Sequence, residues 1–274
     1  MAFKQINLKF EPLSPWSDIL VAFLSEQDYD SFEETDNGLK AFIDSDHFSE
    51  VKLQKVLSDV DVSIHYELED LKQENWNAKW ESNFKPVVID KRCGIRASFH
   101  SPLDVEHEVV ITPKMSFGTG HHSTTFGMMK TMMDLDFTDK TVLDMGCGTA
   151  VLAILASKLK ANKITAIDID EWAYTNSLEN IQINQVKNIS VLEGGSEHIT
   201  DKFDIILANI NRNVLLNDMH IYSDAMKMKG DILLSGFYTE DLPLITKMAN
   251  QCGLSFISNS HHNNWVTAHF KKIP

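Results

Sequence analysis

Thr141-Val-Leu-Asp-Met-Gly-Cys-Gly-Thr-Ala150, followed by Ala166-Ile-Asp-Ile-Asp170, is the stretch that decides the fold. An apolar run closing on Asp144, a turn of small residues, an apolar helix and a second apolar run closing on an acid describe the nucleotide-binding corner of an α/β sheet. Gly146 and Gly148 let backbone approach a ligand with no Cβ in the way. Asp168 stands 22 residues beyond Gly146, where a second strand presents a carboxylate to ribose hydroxyls. The turn lacks the third glycine of the dinucleotide fingerprint, and no lysine follows to hold a triphosphate. The ligand that fits has a ribose and an adenine but no phosphate.

The same acid-x-Gly-x-Gly strand end resembles the first motif of S-adenosylmethionine-dependent methyltransferases. Asp144 is then a candidate to sit behind the loop, near the charged amino-acid end of that cofactor. Upstream, Met115-Ser-Phe-Gly-Thr-Gly-His-His-Ser-Thr-Thr125 is a loop with two glycines that leads into a helix from about His122, bearing Phe126, Met129 and Met133. Downstream, Phe203-Asp-Ile-Ile-Leu-Ala-Asn-Ile-Asn211 reads as a buried strand whose polar end carries Asn209. In this order and at about this spacing, the segments resemble those of the ribosomal protein L-eleven methyltransferase family. The resemblance is close over residues 84 to 274 and looser before them, and its specificity comes from the first loop.

The resemblance implies S-adenosylmethionine as cofactor, with contacts at Thr125, Gly146, Asp168 and Asn209. Gly148 and Asp144 join them from the turn. It implies lysine ε-amines and a protein α-amine of large-subunit ribosomal protein L-eleven as acceptors. Methyl transfer from a sulfonium needs alignment and exclusion of water more than side-chain chemistry. Asn209 is suited to accept a hydrogen bond from the acceptor amine through its amide oxygen. His122 either relays the proton of that amine or fixes the loop. Two residues depart from the family pattern: Ala150 stands where glycine is common, and Ser123 where proline is common. The first is expected to narrow the pocket slightly, the second to loosen the loop.

With 274 residues the chain has room for one large and one small domain, and 43% hydrophobic residues suffice for real cores. No apolar run approaches the roughly 20 residues of a membrane span, and the first residues alternate polar and apolar. A cytoplasmic protein without a membrane partner is expected. Cys93, Cys147 and Cys252 have no metal-ligand spacing and read as reduced thiols, with no metal site. Residues 1 to 84 hold 18 Asp and Glu against 7 Lys and Arg, a net of −11, while the rest hold 21 against 18, a net of −3. So acidic a front repels nucleic-acid phosphates and attracts a basic protein, although acidity also serves solubility alone. Direct reading of nucleic acid is not expected, and the oligomeric state stays open.

The front half reads β-α-β-β-α-β, a ferredoxin-like α+β unit over residues 1–68. Its elements are a strand from Phe3 to Phe10, a helix with Ser14 as N-cap and an apolar face of Ile19, Leu20, Phe23 and Leu24, and a hairpin about Asp36-Asn37-Gly38. A second helix spans Phe48 to Leu57, and a strand spans Val62 to Leu68. With no catalytic cluster in it, this unit is expected to recognise the substrate. Residues 69–84 read as a helical linker with Trp76 and Trp80 one turn apart, which the resemblance makes a swinging connection. Residues 85–274 alternate strand and helix and end in two β stretches, a Rossmann-like class I methyltransferase sheet. Strand 231 to 236 belongs to the alternation, and Leu254 to Ser258 and Trp265 to Phe270 form the ending, with His261 and His262 in a solvated polar turn over Ser258 to Asn264; Met128, Met129, Met132 and Met133 are expected to pack the core.

Two other functions compete. A nucleic-acid or glutamine methyltransferase carries Asn-Pro-Pro-aromatic at the strand end, whereas here Asn209-Ile-Asn211-Arg212 lacks the prolines. A non-catalytic S-adenosylmethionine-binding assembly factor would bind the cofactor without turnover.

Overall fold

The computed structural model describes residues 3–71, 84–114 and 117–273. The chain divides into two compact units, Met1–Asn83 and Phe84–Pro274. In the first unit, β1 (Phe3–Lys9), α1 (Trp16–Ser25), β2 (Tyr29–Thr35), β3 (Gly38–Asp44), α2 (Glu50–Ser58) and β4 (His65–Leu71) follow one another. The strands lie in the order β2-β3-β1-β4 with every neighbour antiparallel, which is the ferredoxin-like arrangement expected. Ile6 and Leu8 of β1 and Leu39, Ala41 and Ile43 of β3 alternate inward onto Leu20, Leu24, Leu53 and Val56 of the two helices.

Three local readings of this unit are corrected. Pro15, not Ser14, occupies the N-cap of α1, without a side-chain bond. Phe23 is 40% exposed, because the buried stripe of α1 runs through Ser17, Leu20 and Leu24. Strand β4 continues through Leu71 into the stretch read as a helix. The remainder of that linker, with Trp76 and Trp80, lies outside the described residues.

The second unit opens with a small sheet of β5 (Val87–Ile89), β6 (Cys93–Ala97) and β7 (His107–Ile111). Helix α3 (Ser123–Met132) leads into β8 (Thr141–Met145), α4 (Val151–Lys158), β9 (Lys163–Asp168), α5 (Glu171–Ile183), β10 (Ile189–Glu193) and β11 (Phe203–Asn209). Then come α6 (Arg212–Ala225), β12 (Met226–Tyr238), α7 (Leu242–Gln251), β13 (Leu254–His262) and β14 (Trp265–Lys272). The seven-stranded order is β10-β9-β8-β11-β12-β14-β13, parallel from β10 to β12 and antiparallel at β14 and β13. The order reverses between β8 and β11, and a ligand site belongs outside the carboxyl ends of the strands at such a switch point. Asp144, Asp168 and Asn209 all stand at or near those ends.

Helix α4 shows why the sequence there is apolar all round. Val151 through Ala156 are all buried, between the main sheet on one side and Ile95, Val109 and Ile111 of the small sheet on the other. Met128, Met129 and Met132 fill the same core and Met133 packs on its margin, as expected. The opposite face is covered by α6 and α7 through Leu215, Met219, Tyr222, Ile245 and Ala249. Strand β12 is longer than residues 231 to 236, beginning at Met226. The polar run from Ser258 to His262 is the second half of edge strand β13, so only Asn263 and Asn264 turn the chain.

Candidate functional site

The cofactor turn is built by backbone constraints before any ligand is considered. Past β8, Gly146 and Gly148 adopt φ of +69° and +54°. A Cβ on Gly148 would stand 2.3 Å from the Phe117 carbonyl oxygen, so only glycine fits where the loop and the turn touch. The Gly146 and Cys147 N–H groups both donate to the Ile167 carbonyl, at 2.8 and 3.1 Å, which ties the turn to the end of β9. Asp168 completes it. One carboxylate oxygen accepts from the Gly148 N–H at 2.8 Å and the other from the Asp170 N–H at 3.0 Å. Asp170 in turn caps α5 by accepting from the Trp172 N–H at 2.8 Å.

Asn209 ends β11, and its amide NH2 donates to the Thr125 hydroxyl at 3.3 Å. That bond fixes the amide so that its oxygen remains for a donor in the cavity. His122 is the N-cap of α3, and its Nδ1 accepts from the Thr124 N–H at 3.3 Å. The ring lies against Phe117 and Trp265, with centroids 5.1 and 4.7 Å away. Of its two expected roles, the geometry serves the fixing of the loop. Ser123, the first residue of α3, accepts from the Asn263 side chain at 3.3 Å, tethering the helix start to the β13–β14 turn. A proline there would stiffen the backbone but carry no such bond.

These elements surround a cavity of about 960 Å³ at the carboxyl ends of the parallel strands, within the range of about 300 to 1,000 Å³ usual for small-molecule sites. Gly146, Gly148, Asp168, Asn209 and His122 line it. Asp144 and Thr125 do not, and here the sequence reading is corrected. Thr125 is fully buried behind Asn209. Asp144 is 1% exposed and accepts from the Ala153 N–H at 3.0 Å, so it supports the start of α4 from inside the protein. Burial pushes its carboxyl up to about 7, against the opposing Ala153 bond and aided by the nearby Asp168 charge. Burial also pushes the Cys147 thiol well above its ordinary range. Ala150 is absent from the lining too. It is the N-cap of α4 at φ 60° and ψ 22°, so the departure from glycine strains the backbone and leaves the pocket width unchanged.

The charge of the cavity is one-sided. Asp168, Asp170, Glu197 and Asp218 line it, and among the described residues no Lys or Arg does. Among the described residues a phosphate would find no cation there, whereas a sulfonium or an ammonium would find carboxylates. The cavity is also polarised along the sheet. Asp168, Asp170 and Glu197 follow β9 and β10 on one side of β8, while Asn209, Ile210 and Trp265 follow β11 and β13 on the other. Glu197 and Trp265 were not singled out in the sequence as lining residues, since each needs the sheet order to be placed beside the turn. Among the described residues, no group of three or more His, Cys, Asp or Glu could hold a metal ion, and no helix is long and apolar enough to cross a membrane.

Comparison with known proteins gives the family and the fold. A protein of *Phocaeicola vulgatus* named ribosomal protein L11 methyltransferase is 41% identical over 261 residues, covering 93% of each chain. Its namesake in *Porphyromonas gingivalis* is 43% identical over 260 residues, covering 92% of this chain and 90% of that one. The crystal structure of a ribosomal protein L11 methylase from *Lactobacillus delbrueckii* subsp. *bulgaricus* superposes with a TM-score of 0.64 at 23% identity, covering 69% of this chain and 99% of that one, and so shares the fold. The profile of the family described as Ribosomal protein L11 methyltransferase (PrmA) matches residues 19–273, and the chain belongs to that family.

Proposed function

We propose that this methyltransferase moves methyl groups from S-adenosylmethionine to lysine ε-amines, and to the N-terminal α-amine, of large-subunit ribosomal protein L11 in the cytoplasm. The observation that carries the reading is a cavity with four carboxylates, an oriented Asn209 amide and, among the described residues, no Lys or Arg. This fits a cofactor that has a ribose and a positive sulfur but no phosphate. In this reading Asp168, which lines the cavity, holds the ribose hydroxyls, and Gly146 and Gly148, with no Cβ, leave room for the amino-acid end. When bound, the cofactor supplies an activated methyl group on sulfur.

The chain's own residues do the rest by position. Asn209 presents its amide oxygen to an N–H of the acceptor amine and so aims the nitrogen lone pair along the transfer direction. Phe117, Trp265 and Ile210 wall that end of the cavity and strip water from the amine. Loss of water disfavours the ammonium form, which brings the lysine closer to the neutral state that reacts. His122 walls the same end with its ring fixed by the cap. The acidic unit of residues 1–83 acts as the reader of the basic substrate, its charge raising the encounter rate more than the affinity.

Intact-mass spectrometry of purified large-subunit ribosomal proteins, incubated with the enzyme with and without S-adenosylmethionine, tests the reading. Methyl increments confined to L11 are expected. Increments on other proteins, or none at all, would overturn the substrate assignment.

A further inference from the structure

We infer that Thr149 is a positioning residue that clasps the Phe117–His122 loop to the cofactor turn and so sets the acceptor side of the reaction; the inference rests on the methyltransferase reading above. Thr149 is fully buried and does not line the cavity, yet all of its polar atoms are engaged. Its N–H donates to the Phe117 carbonyl at 2.9 Å and its hydroxyl to the Gly118 carbonyl at 2.7 Å. Its own carbonyl accepts from the Asn180 amide at 3.0 Å. The two facing backbones are glycine on both sides for a steric reason. A Cβ on Gly118, at φ +103°, would stand 2.7 Å from the Thr149 hydroxyl, and one on Gly148 would strike the Phe117 carbonyl.

Beneath the clasp, the anchor is a row of asparagines on α5. Asn176 and Asn180 of the helix and Asn184 at its C-cap recur every four residues and so share one face. Asn184 brackets the Val110 backbone, accepting from its N–H at 3.0 Å and donating to its carbonyl at 2.6 Å. Asn180 accepts from the Thr112 N–H at 2.8 Å, and Asn176 donates to the Thr112 carbonyl at 3.2 Å. Strand β7 is an edge of its sheet, and these side chains stand in for a neighbouring strand along it. The segment leaving β7 is thereby held to α5, and α5 is held through Asn180 to Thr149. Phe117 and His122 both line the cavity, so the aromatic wall of the acceptor end keeps its place relative to Gly146 and Gly148 through the Thr149 hydroxyl.

Thr149→Val removes that hydroxyl at nearly constant shape, and Thr149→Ser retains it. Three measurements on the full chain separate positioning from stability: single-turnover methylation at saturating S-adenosylmethionine, calorimetric cofactor affinity, and hydrogen exchange of the 117–122 amides. For the valine variant, methyl transfer should slow on the order of 10- to 100-fold, the loss that small misplacements produce. Its cofactor affinity should stay within about 3-fold of wild type, and the loop amides should exchange faster. The serine variant should match wild type in all three. Gly118→Ala attacks the clasp from the loop side and should reproduce the valine result. A valine variant with the wild-type rate overturns the inference, as does a serine variant as slow as valine. Affinity lost in step with rate also overturns it, because Thr149 would then only build the cofactor turn. The exchange measurement needs no turnover, so a wild-type enzyme inactive on ribosomal proteins would sink the proposed function while the clasp is still judged on its own.

Discussion

Replacing Asp168 by alanine removes an acceptor for two backbone N–H groups and a carboxylate from the cavity wall in one step. The two internal bonds, from Gly148 at 2.8 Å and Asp170 at 3.0 Å, are charge-assisted, and such bonds contribute about 1.5 to 3 kcal/mol each when dry. Asp168 is only half-buried and water can replace much of what is lost, so a stability loss of about 1 to 2 kcal/mol is expected, a few degrees in Tm. The effect on the ligand is larger. Loss of one charge-assisted bond to ribose weakens S-adenosylmethionine binding by about 1.5 to 3 kcal/mol, roughly 10- to 150-fold in Kd. Asp168→Asn keeps one acceptor and the side-chain volume, and should lose about half of that free energy. Isothermal titration with S-adenosylmethionine and with the neutral product S-adenosylhomocysteine measures both the size and the cause. If Asp168 acts on the ribose, the alanine variant loses the same factor for both ligands. Alanine binding within about 3-fold of wild type would refute the assignment, and a loss confined to the sulfonium form would show that the carboxylate acts on the sulfur charge.

Asp144→Asn should change the pH dependence of stability. The Asp144 carboxyl sits near 3.8 when unfolded and is pushed up to about 7 when folded. Folding therefore takes up a proton between those values, and the destabilisation from burying the charge is absent below the lower value and complete above the upper one. The shift amounts to about 4 kcal/mol, so urea denaturation should show the asparagine variant gaining on wild type as pH rises from 4 to 7; a flat difference would contradict the buried charge. Thr125→Val frees the Asn209 amide to rotate, and single-turnover rates should fall about 10-fold with cofactor affinity little changed; an equal loss in affinity would place Thr125 against the cofactor after all. Ala150→Gly relieves a left-handed residue by about 1 to 2 kcal/mol but adds unfolded-state entropy and loses a buried methyl worth about the same. Its Tm should stay within about 3 °C of wild type, while Ala150→Val should lose several times more, and thermal melts of both variants check the pair.

Legibility differed between buried and edge elements for a physical reason. Strands β8, β9 and β11 were legible as apolar runs ending at or near Asp144, Asp168 and Asn209, because a strand buried on both faces is an apolar run that stops at a polar residue. Strand β12 was read short since Lys227, Met228 and Lys229 face solvent in a bulge, and only the pairing of Met226 with Phe203 reveals that the strand begins before it. The polar half of β13 was read as a turn for a similar reason: an edge strand has one neighbour and little to bury. In the site, Gly146, Gly148, Asp168 and Asn209 were legible because each is a residue type that its position requires. Thr125 and Asp144 were assigned to the ligand rather than to its supports, since a sequence does not distinguish a side chain that touches from one that holds the toucher. Thr149 escaped notice because its N–H and hydroxyl both reach backbone carbonyl groups, which carry no residue identity. A clue was nevertheless present in Asn176, Asn180 and Asn184, a polar row at helical spacing whose first and second members are buried.

The antiparallel tail of the main sheet bears on how the protein is made. Strand β14 is the last of the sheet in chain order, yet it lies between β12 and β13. Residues up to 262 can leave the ribosome and still offer β12 an unpaired edge, the kind of edge on which other chains aggregate. Only when Trp265–Lys272 has emerged does the sheet close, and Trp265 brings the last wall of the cavity with it. A nascent chain stalled short of that strand therefore exposes a sticky edge and lacks the Trp265 wall of the site.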